Sequence, residues 1–201
     1  MKDKIKGIIF DLDGTLLDSF SVRVDSWHRA LYNNGHDVDK SKIEPLIGLP
    51  GISLATIFSS NPERIETDEE RIFRDRINEV GFFPDVPATI GKLDEINISW
   101  TVVTSARRSF VELIPILPEK VITIDDVNLG KPHTEPYEKA AKLMNLEPRQ
   151  IMVVGDSVND IIPAKKLNML AVLVTHGQKK DIQIQDLTIK EISDIFEIIC
   201  N

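Results

Sequence analysis

Two aspartates, Asp11 and Asp13, directly follow the apolar run 8–10, and Gly14 and Thr15 come next. This order predicts a strand that delivers both carboxylates to its carboxyl end, where open α/β sheets build their sites. Two close carboxylates repel each other unless a cation lies between them, so the pair predicts a hard metal such as Mg²⁺ held by oxygen ligands. It also predicts a division of labour, with one Asp as a nucleophile and the other as an acid/base.

Two simpler interpretations of this segment compete with a metal site. One is an ordinary turn, because Asp and Gly both favour turns. The other is a calcium-binding loop, which needs Gly at its sixth position and Glu at its twelfth. Counted from Asp11, Gly14 is fourth and Val22 is twelfth, so the spacing excludes the calcium loop.

Three further groups of side chains that could bind or react with a substrate each follow a predicted strand. Thr104 and Ser105 follow the run 101–103, and a hydroxyl pair beside a helix start can bind phosphate oxygens. Lys131 lies between Gly and Pro, where it can neutralise a phosphate and a neighbouring nucleophile. The alternatives are that Ser105 only caps a helix over 106–114 and that Lys131 is a solvated surface lysine.

The last group is the segment 155–160, which follows the apolar run 151–154. Asp156 and Asp160 straddle a strand end and a helix start there, a geometry that can complete an octahedral Mg²⁺ site. Helix capping by Asp156 or Ser157 is the alternative. Because parallel strands place their carboxyl ends at one edge, we expect all these groups to converge, which capping alone does not require.

Short apolar runs alternate with longer amphipathic stretches along the chain. The runs are rich in β-branched residues, as strands buried on both faces are. We therefore predict an α/β fold with a Rossmann-like, mainly parallel sheet covered by helices on both sides. The predicted strands are 5–10, 100–104, 121–124, 151–154 and 171–174, and helical spacing marks 86–97, 134–145 and 189–199.

The segment 17–81 breaks this alternation, because it shows helical periodicity and no convincing strand. Groups of Gly, Pro and Asn residues divide it into about four helices, too much chain for an ordinary strand-to-helix connection. We predict that 17–81 is an inserted all-helical cap domain with linkers near 15–19 and 81–86. The α/β core domain then comprises residues 1–16 and 82–201.

Composition narrows the class of protein. The net charge of −8 over 201 residues argues against a general nucleic-acid-binding surface. No apolar stretch approaches the length of a membrane span, and the N-terminus lacks the apolar region of a signal peptide. The single cysteine, Cys200, excludes an internal disulfide and fits a reducing compartment. We expect a cytoplasmic protein that binds neither nucleic acid nor membrane.

These groups, in this order and spacing, resemble the motifs of the haloacid dehalogenase superfamily of phosphotransferases. The segments 11–15, 104–105, 131–132 and 155–160 look like its first, second, third and fourth motifs. The insert at 17–81 is similar to the helical cap of the branch that contains phosphoglycolate phosphatase and β-phosphoglucomutase. The resemblance implies a Rossmann-like core beneath a helical cap.

The resemblance also implies a mechanism. Asp11 would attack phosphorus in line and form an aspartyl-phosphate, and Asp13 would protonate the leaving group and then activate water. Mg²⁺ would be held by Asp11, by the backbone carbonyl of Asp13 and by Asp156. Asp160 would either contact the metal directly or support the residues that do. The groups implied to bind the substrate phosphate are Thr104, Ser105 and Lys131.

Cap residues would set the substrate. Gly48 and Leu49 lie in a segment that looks like the cap loop facing the substrate in this branch, and Arg23 on the first cap helix is a further candidate contact. The acidic run 66–70 is expected to be a charged helix start favoured by the helix dipole. Arg107 has two interpretations, contact with a substrate anion or a solvated helix face.

The resulting hypothesis is a Mg²⁺-dependent phosphatase that hydrolyses a small phosphate monoester, such as phosphoglycolate or a sugar phosphate. A phosphomutase of the β-phosphoglucomutase type is the alternative, since the motifs do not separate transfer to sugar from transfer to water; pyrophosphate hydrolysis is another. A non-catalytic phosphate sensor belongs to a different class, and the intact Asp11, Asp13, Lys131 and Asp156 argue against it. The expected partner is a small phosphorylated metabolite.

Overall fold

A parallel sheet forms the centre of the protein in the computed structural model, which describes residues 4–118, 120–180 and 182–199. The strands are β1 (Gly7–Phe10), β2 (Leu17–Asp18), β3 (Gly81–Phe82), β4 (Ser99–Val102), β5 (Ile151–Gly155), β6 (Leu170–Val174) and β7 (Leu187–Ile189). The sheet runs in the order β4-β1-β5-β6-β7, and every neighbouring pair is parallel. Phe10 lies opposite Val102 and Val154, so three strands end at the same edge.

Helices cover both faces of this sheet. The α-helices of the described residues are α1 (Phe20–Asn33), α2 (Lys40–Ile43), α3 (Gly51–Phe58), α4 (Pro62–Asp75), α5 (Val86–Glu95), α6 (Arg108–Val111), α7 (Glu135–Met144), α8 (Val158–Lys166) and α9 (Ile195–Ile199). Residues of α5 to α9 share the two core clusters with the sheet. Successive strand residues point to opposite faces, so Ile8 and Phe10 pack with Leu93 of α5 while Ile9 packs with Ala140 of α7 and Ile161 of α8. The predicted α/β class with a Rossmann-like parallel sheet is confirmed.

The helices α1 to α4, which we call the cap, surround an apolar cluster of their own. Trp27, Leu54 and Ile65 from three of these helices are almost fully buried in it. The chain enters and leaves the cap side by side, because Leu17 of β2 pairs with Phe82 of β3 in an antiparallel ribbon. The expectation of an inserted helical unit is therefore confirmed, while the domain bounds at 17–81 stay a prediction.

The predicted strand at 121–124 is wrong. Only Ile122 bridges to Val103, beyond the end of β4. Thr123 then begins a turn in which its N–H and its hydroxyl both donate to Asp126 Oδ2, each at 2.7 Å. These local hydrogen bonds compete with the sheet for the same backbone and end the extended conformation.

The C-terminal region also differs from the prediction of one helical face over 189–199. Ile189 ends a short strand, β7, and the α-helix begins only at Ile195. Strand β7 has three residues, too few to show a strand pattern in the sequence.

Within the described ranges, no helix is both long and apolar enough to cross a membrane. Cys200, on which the expectation of a reducing compartment rests, lies outside those ranges.

Candidate active site

The carboxyl edge of the sheet brings Asp11 and Lys131 into direct contact. Asp11 follows β1, and its N–H still donates to the Val154 carbonyl of β5 at 2.9 Å, so the sheet positions its backbone. Lys131 donates from Nζ to Asp11 Oδ1 at 2.5 Å, and the Thr15 hydroxyl donates to Oδ2 at 3.3 Å. Because Lys131 is only 4% exposed, little water screens this ion pair. The interpretation of Lys131 as a solvated surface lysine is therefore wrong.

Asp160 holds the same lysine from another side. Its Oδ1 accepts hydrogen bonds from Lys131 Nζ at 2.6 Å and from the Tyr137 hydroxyl at 2.9 Å. Its Oδ2 accepts from the hydroxyl of Ser157, which caps α8, at 2.8 Å. Burial opposes the charge on Lys131, but the carboxylates of Asp11 and Asp160 outweigh it and raise the pKa of the lysine. Asp160 thus combines helix capping with the positioning of a buried ammonium group.

Asp156 lies beside Asp11, directly after β5. One carboxylate oxygen from each of Asp11, Asp156 and Asp160 falls within 4.8 Å of the others. Gly14 permits the close approach of its loop, since its φ is +78° and a Cβ there would lie 2.8 Å from Asp156 Oδ2. Lys180, which no motif indicated, donates to the carbonyl and to Oδ2 of Asp156, each at 2.7 Å.

This carboxylate cluster fits a divalent cation. Burial raises the pKa of Asp11 to about 8, the negative charges of Asp160 and Asp156 add to the rise, and Lys131 opposes it. Burial also raises the pKa of Asp156. Both shifts mean that the ionised forms lack sufficient positive charge around them, which a cation would supply. Carboxylate oxygens are also the ligands that hard cations such as Mg²⁺ prefer.

Asp13 is held by the segment leading into the cap and by the cap itself. Its Oδ1 accepts from the Ser19 hydroxyl at 2.6 Å and from Arg23 Nε at 3.2 Å. The same guanidinium donates to Glu69 Oε1 at 3.3 Å and lies over the Phe73 ring, 3.5 Å from its centroid. Burial raises the pKa of Glu69 to about 7 although Arg23 opposes the shift. Arg23 is therefore a bridge between Asp13 and the cap.

Thr104 and Ser105 occupy the loop after β4. The buried Thr104 hydroxyl accepts the N–H of Ala106 at 3.0 Å, and the Ser105 hydroxyl donates to the Gly48 carbonyl of the cap at 3.4 Å. The interpretation of Ser105 as a helix cap is wrong, because the next helix, α6, begins only at Arg108. A short helix that starts later leaves both hydroxyls in the loop that faces the cap.

A cavity of about 70 Å³ lies between these groups and the cap. It brings the three candidate cap residues into the site, since Arg23, Gly48 and Leu49 all line it. Its other polar walls are Asp11, Asp13, Thr104, Ser105, Glu66 and Glu69. Lys131 and Asp160 are not among its walls and reach Asp11 from elsewhere.

The acidic run 66–70, expected at the start of a helix, includes two of the glutamates that line the cavity, Glu66 and Glu69. Helix α4 begins at Pro62, so the run 66–70 lies inside the helix rather than at its start. Glu69 is 2% exposed because it shares the buried face of Ile65 and Ile72, a spacing that the sequence already contains. Glu66 is also buried, at 9% exposure.

Arg107 supplies part of the counter-charge for that run. It donates from the core to Glu66 Oε2 at 2.8 Å and to Glu70 Oε1 at 2.6 Å, both on α4. It is thus a link between core and cap, which neither earlier interpretation of this arginine anticipated.

The fold, together with the side chains at the carboxyl edge of the sheet, defines an α/β protein with a Rossmann-like parallel sheet and an acidic site beneath a helical cap. The family model described as haloacid dehalogenase-like hydrolase matches residues 8–174 of the chain. The chain therefore belongs to this family, and the prediction that it is a hydrolase of this superfamily is confirmed.

Individual relatives agree with this placement. Pyrophosphatase PpaX from Oceanobacillus iheyensis is 29% identical over 207 residues, which cover 97% of both chains. A structure described as a predicted phosphoglycolate phosphatase from Haemophilus somnus superposes with a TM-score of 0.84 at 23% identity, covering 96% of this chain and 97% of that one. β-Phosphoglucomutase from Clostridium difficile gives a TM-score of 0.83 at 20% identity, covering 98% of this chain and 96% of that one. The expected branch is confirmed at the level of fold.

Proposed function

We propose that the protein is a Mg²⁺-dependent, cytoplasmic phosphatase that hydrolyses a small phosphate monoester through an aspartyl-phosphate intermediate. The observation that carries this proposal is the environment of Asp11. Its carboxylate borders the cavity beneath the cap, lies 2.5 Å from a buried lysine and belongs to a cluster of three aspartates. A nucleophile, a phosphate counter-charge and a cation site are thus within reach of one small substrate.

The proposed reaction assigns one task to each group. An oxygen of Asp11 forms a bond to phosphorus while the bond to the leaving-group oxygen breaks, and Asp13 gives that oxygen a proton. Asp13 then accepts a proton from the water that attacks the aspartyl-phosphate, which releases inorganic phosphate and restores Asp11. Lys131, Thr104 and Ser105 hold the phosphoryl oxygens, so that positioning and charge stabilisation lower the barrier.

The metal would be held by Asp11, the backbone carbonyl of Asp13 and Asp156. When bound, Mg²⁺ neutralises charge on the phosphoryl oxygens. We assign Asp160 to the positioning of Lys131 rather than to direct metal contact. Its two oxygens already accept hydrogen bonds from Lys131, Tyr137 and Ser157, which supports this choice.

Turnover of p-nitrophenyl phosphate tests the proposal. Wild-type protein should release phosphate with Mg²⁺ and stop when the metal is chelated. Asp11→Asn should lower kcat by at least about 10³-fold, as the loss of a nucleophile does in other enzymes. Asp18→Asn is the matched control, since Asp18 is an exposed carboxylate in the nearby ribbon. Absence of Mg²⁺-dependent turnover across sugar phosphates, phosphoglycolate, nucleotides and pyrophosphate would contradict the proposal.

Pyrophosphate hydrolysis is a second candidate, favoured by the name of the Oceanobacillus relative at 29% identity. Release of phosphate from pyrophosphate at a higher kcat/KM than from any ester would establish it. Incubation with β-glucose 1-phosphate separates both hydrolases from a phosphomutase. Free phosphate as the product supports hydrolysis, and glucose 6-phosphate supports the mutase.

A further inference from the structure

The cap side of the cavity carries two carboxylates to which the proposed reaction gives no task. Glu66 and Glu69 lie one turn apart on α4, and both line the cavity. Gly51 leaves space for Glu66, because a Cβ on Gly51 would lie 2.4 Å from Glu66 Oε1. Glu66 and Glu69 are 9% and 2% exposed, so water screens their charges little, and each also pairs with one arginine.

The positive charge near these glutamates is already engaged. Among the described residues that line the cavity, Arg23 is the one cation, and its contacts go to Asp13 and Glu69. Arg107 pairs with Glu66 but does not line the cavity. An anionic leaving group would therefore meet two carboxylates and no uncommitted cation in the described walls.

The walls suit hydrogen-bond donors instead. Glu69 lines the cavity, and its described hydrogen bond and ion pair both involve Oε1 and Arg23. At about 70 Å³ the cavity has room for several water molecules, each of which needs at least about 10–15 Å³.

We infer that Glu66 and Glu69 select the leaving group by charge. The substrate is a small phosphate ester whose alcohol is neutral and hydroxyl-rich or carries an ammonium group, and esters with a carboxylate or a second phosphate are disfavoured. This inference rests on the proposed phosphatase function and names the substrate class of the same site. A like charge brought beside a buried carboxylate lowers kcat/KM by about tenfold or more.

Three esters of nearly equal size test the inference: 2-hydroxyethyl phosphate, phosphoethanolamine and phosphoglycolate. Assays at pH 8 keep Glu69 ionised, above the pKa of about 7 that burial gives it. Wild-type kcat/KM should be at least about tenfold higher for the neutral and cationic esters than for phosphoglycolate. Glu66→Gln and Glu69→Gln should each reduce that ratio, and Glu63→Gln, an exposed position on the same helix, should preserve it.

The ratio is measured within each variant, so a partial loss of folded protein cancels. Equal or higher kcat/KM for phosphoglycolate in the wild type overturns the inference, as does a ratio that neither Gln variant changes. In both cases turnover of the esters leaves the proposed function intact. Turnover of none of the three esters overturns the inference. The phosphatase itself is contradicted when p-nitrophenyl phosphate, sugar phosphates, nucleotides and pyrophosphate also give no turnover.

Discussion

Arg23 of the cap lies with its Nε 3.2 Å from Oδ1 of Asp13 in the core. The same guanidinium also donates to Glu69 at 3.3 Å, so one cation is shared by a carboxylate from each side of the cavity. The side chain of Arg23 is 13% exposed and that of Glu69 is 3% exposed, which makes this a mostly buried network. Asp13, the proposed acid/base, is thereby tied to the position of the cap.

Removal of the shared cation should destabilise the fold. Arg23→Met leaves Asp13 and Glu69 without their partner, and breaking a buried pair in this way costs about 3 kcal/mol. Urea unfolding should show that loss, while Arg64→Met, at an exposed position of α4, should change stability by less than about 0.5 kcal/mol. The double variant Arg23→Met/Glu69→Gln should recover part of the loss, since one of the two stranded charges is gone. An Arg23→Met protein as stable as the wild type would show that the network is not buried in solution.

Glu69 should make stability depend on pH. Burial raises its pKa from 4.5 to about 7, so the folded state binds the proton more tightly than the unfolded chain. Its contribution is therefore fully present below the unfolded value and is lost as pH rises through the folded value. The free energy of unfolding of the wild type relative to Glu69→Gln should fall by about 2 to 3 kcal/mol between pH 5 and pH 8. Urea titrations of both proteins at each pH measure the difference, and a constant difference would refute the shifted pKa.

Gly14 should matter to the metal site as well as to the backbone. Gly14 and Gly35 both have positive φ, +78° and +86°, but only at Gly14 would a Cβ meet another group, Asp156 Oδ2 at 2.8 Å. Gly35→Ala should cost about 1 kcal/mol of stability from backbone strain alone. Gly14→Ala should add to that cost a rise of about tenfold in the Mg²⁺ concentration for half-maximal turnover, because it displaces Asp156. The same metal dependence in both variants would contradict this role of Gly14.

Substitution of Asp156 should chiefly change the Mg²⁺ dependence of turnover, whereas substitution of Asp160 should chiefly change kcat. Asp156→Asn removes a proposed ligand and should raise the Mg²⁺ concentration for half-maximal turnover by about tenfold or more. Asp160→Asn loosens Lys131, which it contacts at 2.6 Å, and should lower kcat with a smaller change in the metal dependence. Mg²⁺ titrations of phosphate release distinguish the two. A larger metal effect for Asp160→Asn would place Asp160 among the ligands.

The core and the sheet edge that carries the candidate site could be predicted because their signals are local. The run before Asp11 is short and apolar, as is the run before Asp156, and each ends in residues that stop a strand. Parallel strands then bring such ends together without any further information. The strand predicted at 121–124 does not form because Thr123 donates a hydrogen bond to Asp126 in a local turn, which ends the extended backbone.

The sequence by itself determined the α/β core, the helical insert and the aspartates, threonine and lysine that meet at one edge of the sheet. Only the tertiary structure decided that Glu66 and Glu69 line the cavity, that Arg23 joins Asp13 to the cap, and that Lys180 contacts Asp156. The physical reason is that the end of a strand can be recognised from residues adjacent to it in sequence. The role of a charged side chain on a helix depends on which distant group packs opposite it.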